Sequence, residues 1–189
     1  MKRLRLFFAV WPPRRVSEAL WHALAPLRKS GAGVRWVPPE RLHITLRFMG
    51  DAPADALPSL VSAAEALERT APFRARLTGV GTFPRRGPPR VYWVGIRAAA
   101  LPSLREGLDL ALAREGIERE GRTFSPHLTV GRTRGGRPPG ARPRSRREFG
   151  DIVPVGLEFT VATVHIVRSD LFPEGPRYAN VHKVVLGRR

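Results

Sequence analysis

Cysteine is absent from the 189 residues, which excludes disulfide bonds, thiolate zinc sites and cysteine nucleophiles. No apolar run approaches the roughly 18 residues of a membrane-spanning helix, so we expect no membrane partner. The N-terminal segment 1–13 is basic and then apolar, but Arg14 and Arg15 follow it where a signal peptide would have a small-residue cleavage site. We interpret this segment as the first strand of a cytoplasmic protein.

Acidic residues and lysine are both scarce. Asp and Glu total 16 against 33 Lys and Arg, so the formal charge is +17, and only 3 of the basic residues are lysine. Arginine offers a planar fork that suits phosphate, although the same bias also arises from a GC-rich genome. The charge therefore permits a polyanionic partner without identifying one.

Length and hydropathy favour a single domain over residues 1–189, since 42% hydrophobic residues are enough for a packed core. Apolar periodicity predicts three helices among several antiparallel strands, which is an α+β pattern. The predicted strands cover 3–11, 42–48, 73–83, 90–97, 127–132, 157–169 and 179–186, and the predicted helices cover 14–31, 51–69 and 101–114.

A short motif occurs twice in the chain, as His43-Ile44-Thr45-Leu46 and as His127-Leu128-Thr129-Val130, with an offset of 84 residues. Residues i and i+2 of a strand face the same side, so each copy presents an imidazole beside a hydroxyl and turns its two apolar residues inward. The repeat indicates two similar lobes. If the two strands meet across a cleft, both His and Thr pairs converge there.

Two opposed imidazoles suit in-line displacement at phosphorus. A neutral ring takes a proton from the attacking group while a protonated ring delivers one to the departing oxygen, and histidine supplies both forms near neutral pH. The threonine hydroxyls can bond the non-bridging oxygens. Strand alternation puts Arg132 on the opposite face, but a bend or bulge after Gly131 would bring its charge to the phosphate. Neither motif supplies a third or fourth metal ligand, so we expect no metal.

The segments that contain the motifs, 43–50 and 125–132, resemble the paired HxTx signatures of the two-histidine phosphoesterases. Among these, they are most similar to the bacterial and archaeal RNA 2′,3′-cyclic phosphodiesterases, historically called 2′-5′ RNA ligases. The resemblance extends to 5–12, 37–42 and 169–178, and so spans essentially the whole chain. It implies a bilobal α+β fold in which two pseudo-symmetric lobes line a central cleft with antiparallel sheets and pack their helices outside.

The resemblance also implies roles for individual residues. His43 would be the proton donor and His127 the proton acceptor, while Thr45 and Thr129 would hold the phosphate with help from Arg132. The implied reaction opens a terminal RNA 2′,3′-cyclic phosphate to a 2′-phosphate without a cofactor or an obligate protein partner, and tRNA fragments are among the candidate substrates. The residues alone do not assign acid and base, because the half-sites are nearly symmetric and the reverse reaction exchanges the two roles.

Two alternatives stay open: the same chemistry on small cyclic nucleotides, and a non-catalytic basic RNA-binding module. The Arg-rich segment 133–147 is a candidate clamp for an RNA backbone. Among the aromatic residues, we expect Phe7 and Phe48 in the core and consider Trp36 and Phe83 as base-stacking platforms. The remaining histidines lack a Thr at i+2 in a strand and are interpreted as structural; they are His22, His165 and His182.

Overall fold

The computed structural model describes residues 2–29, 33–133, 149 and 152–188. The strands are β1 (Arg3–Val10), β2 (Val34–Trp36), β3 (Ile44–Pro53), β4 (Phe73–Phe83), β5 (Val91–Arg97), β6 (His127–Thr133), β7 (Glu158–Val161), β8 (Thr163–Phe172) and β9 (Gly175–Val185). The helices are α1 (Arg14–Ala23), α2 (Ala25–Lys29), α3 (Leu57–Glu65) and α4 (Ala100–Arg114). This composition confirms the α+β prediction.

All strands of the described residues form one antiparallel sheet with the order β7-β4-β5-β6-β3-β1-β8-β9, and β2 also pairs with β6. The two central strands, β3 and β6, pair only at Ile44 and Leu128. The sheet therefore has two halves that are joined at the two motifs: β7, β4, β5 and β6, to which β2 is added, and β3, β1, β8 and β9. This arrangement agrees with the predicted bilobal fold.

The main core lies between the helices and one face of the sheet. Strand β1 shows this clearly, because Leu6 and Phe8 belong to the main core while Phe7 and Ala9 form a second, small cluster on the other face. The helices bury the apolar stripes that their periodicity predicts: Val16, Leu20, Leu24, Leu27, Leu60, Ala64, Leu67, Leu101, Leu104, Leu108 and Leu112. The opposite face of the sheet is left for a cleft.

Several predicted boundaries are wrong. The first helix is interrupted at Leu24, because Pro26 has no N–H to continue the ladder of α1. The predicted helix 51–69 is shorter, since β3 stays paired with β1 as far as Pro53 and α3 ends at Glu65. The strand predicted over 157–169 is split into β7 and β8.

The Arg-rich segment 133–147, the candidate clamp for an RNA backbone, lies, apart from Thr133, outside the described residues. None of the helices in the described ranges has both the length and the apolar character to cross a membrane.

Candidate active site

The two motifs meet at the centre of the sheet. Their apolar residues, Ile44, Leu46, Leu128 and Val130, are buried in the core as the alternation predicts. Their polar residues, His43, Thr45, His127 and Thr129, line one cleft with a volume of about 400 Å³. The convergence of the two imidazole–hydroxyl pairs is therefore seen in the fold.

Both histidines are oriented in the same way. The Nδ1 atom of His43 lies 2.8 Å from the carbonyl oxygen of Arg41, and that of His127 lies 2.8 Å from the carbonyl oxygen of Ser125. A carbonyl only accepts, so each neutral ring carries its proton on Nδ1. The Nε2 atom on the other side of each ring is thus free to accept or deliver a proton in the cleft. In both halves the partner is the backbone carbonyl two residues before the histidine, so the pseudo-symmetry of the fold extends to the site.

Arg132 reaches the cleft because β6 contains a bulge. Consecutive β5 residues pair with Gly131 and Thr129, which leaves Val130 as the extra residue. Val130 and Gly131 are therefore both buried, and Arg132 returns to the face of the histidines, where it lines the cleft. A bulge is present as predicted, but it lies at Val130 and not after Gly131.

An equivalent bulge on β3 determines the position of Phe48. Phe8 and Ala9 pair with Arg47 and Thr45, so Leu46 is the extra residue and corresponds to Val130. By the same offset of 84 residues, Phe48 occupies the place of Arg132. It is 44% exposed and lines the cleft, so its predicted core position is wrong. The motif offset, applied to Arg132, would have located it.

Arginine and aromatic residues complete this wall of the cleft. The guanidinium of Arg5 lies 4.7 Å from the centre of the Phe48 ring, within cation–π range. Trp36, considered above as a base-stacking platform, also lines the cleft. Phe83 packs against His127 with a ring distance of 5.5 Å.

Arg47 lies on the opposite side of β3 and ties the first bulge to α4. It contacts Asp109, with 3.4 Å between Nη1 and Oδ1, and Asp109 also pairs with Arg105. The guanidinium further donates to the carbonyl oxygen of Glu118. These contacts tie the strand that carries Thr45 to α4 and to the segment that follows it.

His43 is enclosed by aromatic rings and His127 is more open. Ring centres of Phe7, Trp11 and Tyr178 lie 4.9, 5.3 and 5.3 Å from that of His43. Burial lowers the pKa of His43 to about 4; the Arg41 hydrogen bond opposes this shift, and the charges of Arg132 and His127 add to it. The two imidazoles are thus alike in orientation and different in environment. Motif reasoning alone did not single out Trp11.

The remaining histidines lie outside the cleft. His165 Nε2 is 3.0 Å from Oγ1 of Thr163, and His182 Nε2 is 3.4 Å from a carboxylate oxygen of Glu65. These local contacts agree with the structural interpretation. Within the described ranges, no three His, Asp or Glu side chains are grouped to hold a metal ion.

Stability should fall on mild acidification because two histidines are held neutral. Burial lowers the pKa of His165 to about 4, with Lys183 adding to the shift, as burial does for His43. Both values lie below the ordinary 6.5, so the unfolded chain takes up more protons than the folded chain between pH 6.5 and 4. The free energy of unfolding is expected to decrease through that window, by on the order of 2 kcal/mol per histidine.

Urea unfolding at pH 7, 5.5 and 4 measures this effect. His165→Gln removes one of the two groups, so the free energy of unfolding should change less with pH. His22 lies on an exposed face of α1, and His22→Gln should leave this pH dependence unchanged. An unchanged pH dependence in His165→Gln would contradict the interpretation that His165 is held neutral in the folded protein.

The charge of the cleft is strongly positive. Four arginines, Arg5, Arg35, Arg41 and Arg132, line it, and no Asp or Glu belongs to its described lining. Such a wall favours an anionic ligand.

An antiparallel sheet whose two halves each bring a His-x-Thr strand to one cleft defines a two-histidine phosphoesterase. A family model described as LigT-like phosphoesterase matches residues 10–93. A Thermus thermophilus protein named RNA 2′,3′-cyclic phosphodiesterase is 37% identical over 97% of this chain and 90% of its own. The chain belongs to the LigT-like phosphoesterase family.

Further relatives agree with this placement. An Aeropyrum pernix protein of the same name is 36% identical over 85% of this chain and 93% of its own. A crystal structure of a T. thermophilus protein superposes with a TM-score of 0.81 at 37% identity, covering 97% of this chain and 98% of that one. Escherichia coli LigT complexed with 3′-AMP superposes with a TM-score of 0.77 at 26% identity, covering 98% and 99%.

Proposed function

We propose that this protein hydrolyses the 2′,3′-cyclic phosphate at the 3′ end of RNA to a 2′-phosphate, with His43 and His127 as the acid–base pair and without a metal. The observation that carries the proposal is the pair of imidazoles with Nδ1 bound to the backbone and Nε2 left for one arginine-rich cleft. The name of the T. thermophilus relative and the 3′-AMP complex of E. coli LigT support a nucleotide end as the ligand.

The proposed step is an in-line displacement at phosphorus. Nε2 of His127 takes a proton from water as the water oxygen bonds to phosphorus, and the bond from phosphorus to O3′ breaks. Nε2–H of His43 gives its proton to O3′, which leaves as a hydroxyl. Thr45 and Thr129 donate hydrogen bonds to the non-bridging oxygens, and Arg132 offsets the charge that develops there. Proton exchange with solvent restores both rings.

The donor role requires that His43 is protonated when substrate is bound. With a pKa of about 4, the ring is neutral in the free protein at pH 7. A bound phosphate places a negative charge beside Nε2 and offsets the charge of Arg132, and both effects raise the pKa of His43. We therefore propose that the substrate itself promotes protonation of the donor.

Hydrolysis is the favoured direction of this chemistry. Ligation to a 2′-5′ bond is the same displacement with the 5′ hydroxyl of a second RNA end in place of water, and O3′ departs in both reactions. Because water greatly outnumbers RNA ends, opening of the cyclic phosphate should dominate by mass action.

The decisive assay compares an oligonucleotide that ends in a 2′,3′-cyclic phosphate with a mononucleoside 2′,3′-cyclic phosphate. We expect the oligonucleotide to be opened at full rate in excess EDTA, with the product phosphate located at O2′ by ³¹P NMR. Turnover of the mononucleoside alone would favour the small-nucleotide alternative. Binding of RNA without opening of either substrate would favour the non-catalytic module, and loss of activity in EDTA would overturn metal independence.

A further inference from the structure

Arg35 on β2 stands directly opposite Arg132 on β6 in the antiparallel pairing. Both side chains line the cleft. Like charges that face each other across paired strands repel, so this pair is unfavourable in the empty cleft. An anion between or beside the two guanidinium groups relieves the repulsion.

Arg41 approaches Arg35 at the turn between β8 and β9. Gly175, the first residue of β9, has a φ of +126°, and the position of a Cβ there would lie 3.0 Å from Nη1 of Arg41 and 3.9 Å from Nη1 of Arg35. The absence of a side chain at Gly175 thus leaves room for both guanidinium groups. They converge on one wall of the cleft.

Arg41 is held in place on two sides. Its Nη1 donates to the carbonyl oxygen of Pro176 at 2.9 Å, and its own carbonyl accepts the Nδ1–H of His43. The residue therefore connects the β8–β9 turn to the histidine. A guanidinium that is already ordered loses less rotamer entropy when it binds a ligand.

The charges of this cluster are unmatched in the part of the chain that the structure describes. None of the ion pairs found there includes Arg35, Arg41 or Arg132, and the described cleft lining has no carboxylate. The planar fork of arginine matches the geometry of phosphate oxygens, and its fixed charge favours an anion. A phosphate group is the ligand that this wall fits.

We propose that Arg35 and Arg41 form a second phosphate subsite, which binds the phosphodiester on the 5′ side of the terminal nucleotide. This assignment rests on the proposed function, in which the cyclic phosphate lies between the histidines beside Arg132. One nucleoside separates consecutive phosphates of an RNA strand, so the next phosphate must lie beside the first, as Arg35 lies beside Arg132. The subsite would make the enzyme favour RNA ends over mononucleosides.

The subsite can be measured by equilibrium binding, which does not depend on turnover. We expect calorimetry to give about ten- to hundredfold tighter binding of adenosine 2′,5′-bisphosphate than of adenosine 2′-phosphate, because one charge-assisted contact is added. The dinucleotide ApA with a terminal 2′-phosphate should show a similar advantage. Arg35→Ala should reduce both ratios strongly, because only Arg41 then remains at the subsite, and Arg35→Lys should reduce them less.

Arg97→Ala is the matched control. Arg97 also faces an arginine across paired strands, Arg76, but lies outside the cleft. Its removal lowers the net charge equally and should preserve both ratios. Equal losses in Arg97→Ala and Arg35→Ala would overturn the subsite and indicate a general charge effect, as would ratios that Arg35→Ala does not change.

The dinucleotide distinguishes a phosphodiester within an RNA chain from the free 5′-phosphate of a mononucleotide. An advantage for the bisphosphate without one for the dinucleotide would overturn recognition of an RNA chain. Failure of the proposed function would give a different result. The protein would open no cyclic phosphate but would still bind adenosine 2′,5′-bisphosphate more tightly than adenosine 2′-phosphate.

Discussion

Replacing His127 with alanine is expected to lower kcat/KM for a cyclic-phosphate-ended oligonucleotide by about 10²–10⁴-fold, and replacing His43 by a similar factor. Each substitution removes the Nε2 that its half of the described cleft offers to the proposed substrate, while the backbone carbonyls that hold the rings stay in place. The double variant should lose much less than the product of the two factors, because the two groups act in one step. Initial rates of cyclic-phosphate opening measure all three variants.

His22→Ala controls for the loss of an imidazole. His22 lies on an exposed face of α1, outside the cleft, and its variant should retain wild-type kcat/KM. Thermal unfolding followed by circular dichroism should show that the cleft variants are folded. Retention of most activity by either His43→Ala or His127→Ala would contradict the two-histidine mechanism.

The same variants can assign acid and base. A p-nitrophenyl phosphodiester releases an anion that needs no proton, so the general acid is dispensable for this substrate and the general base is not. We expect His43→Ala to recover most of its lost activity on the aryl ester while His127→Ala stays defective. The opposite pattern would show that the two roles are exchanged.

The sequence predicts the features of this site that depend on local alternation. His43 and Thr45 face the cleft while Ile44 faces the core, because residues along a strand alternate whatever its neighbours are. The second motif repeats the pattern for the same reason. The repeat also predicts that the two strands lie in similar halves, and the sheet order agrees.

Features that depend on strand register were not predictable from the motifs. Arg35 faces Arg132 because β2 pairs with β6, and Arg5 lies beside Phe48 because β1 pairs with β3. Both pairings join residues that are distant in sequence, so no local periodicity indicates them. The aromatic enclosure of His43 has the same origin, since Tyr178 comes from the last strand.

The two bulges also explain how nearly identical motifs produce an unequal site. Each bulge returns the residue five positions after its histidine to the cleft, and these residues are Phe48 in one half and Arg132 in the other. One half therefore places a permanent charge in the cleft, and the other places an apolar ring with Arg5 above it. The proposed division into donor and acceptor follows this difference in environment.

Arg132→Ala is expected to lower kcat/KM by about 10²–10³-fold, because it removes the charge that faces the developing negative charge on phosphate. Arg132→Lys keeps the charge without the planar fork and should recover only part of the loss.

Gly131→Ala should impair the site indirectly. A Cβ at Gly131 would lie 2.8 Å from Cγ1 of Val34 and 3.0 Å from Cε3 of Trp36, so these side chains on β2 must move.

A spectroscopic measurement separates the charge of Arg132 from a merely structural role. The positive charge of Arg132 contributes to the low pKa of His43, so Arg132→Ala should raise that pKa above about 4, whereas Arg132→Lys should not. Titration of the His43 ring proton by NMR in the free protein gives the value directly. Two results would contradict an electrostatic role for Arg132: equal His43 titrations in Arg132→Ala and wild type, or a loss in kcat/KM below tenfold. Binding of the phosphate would then be assigned to Thr45 and Thr129.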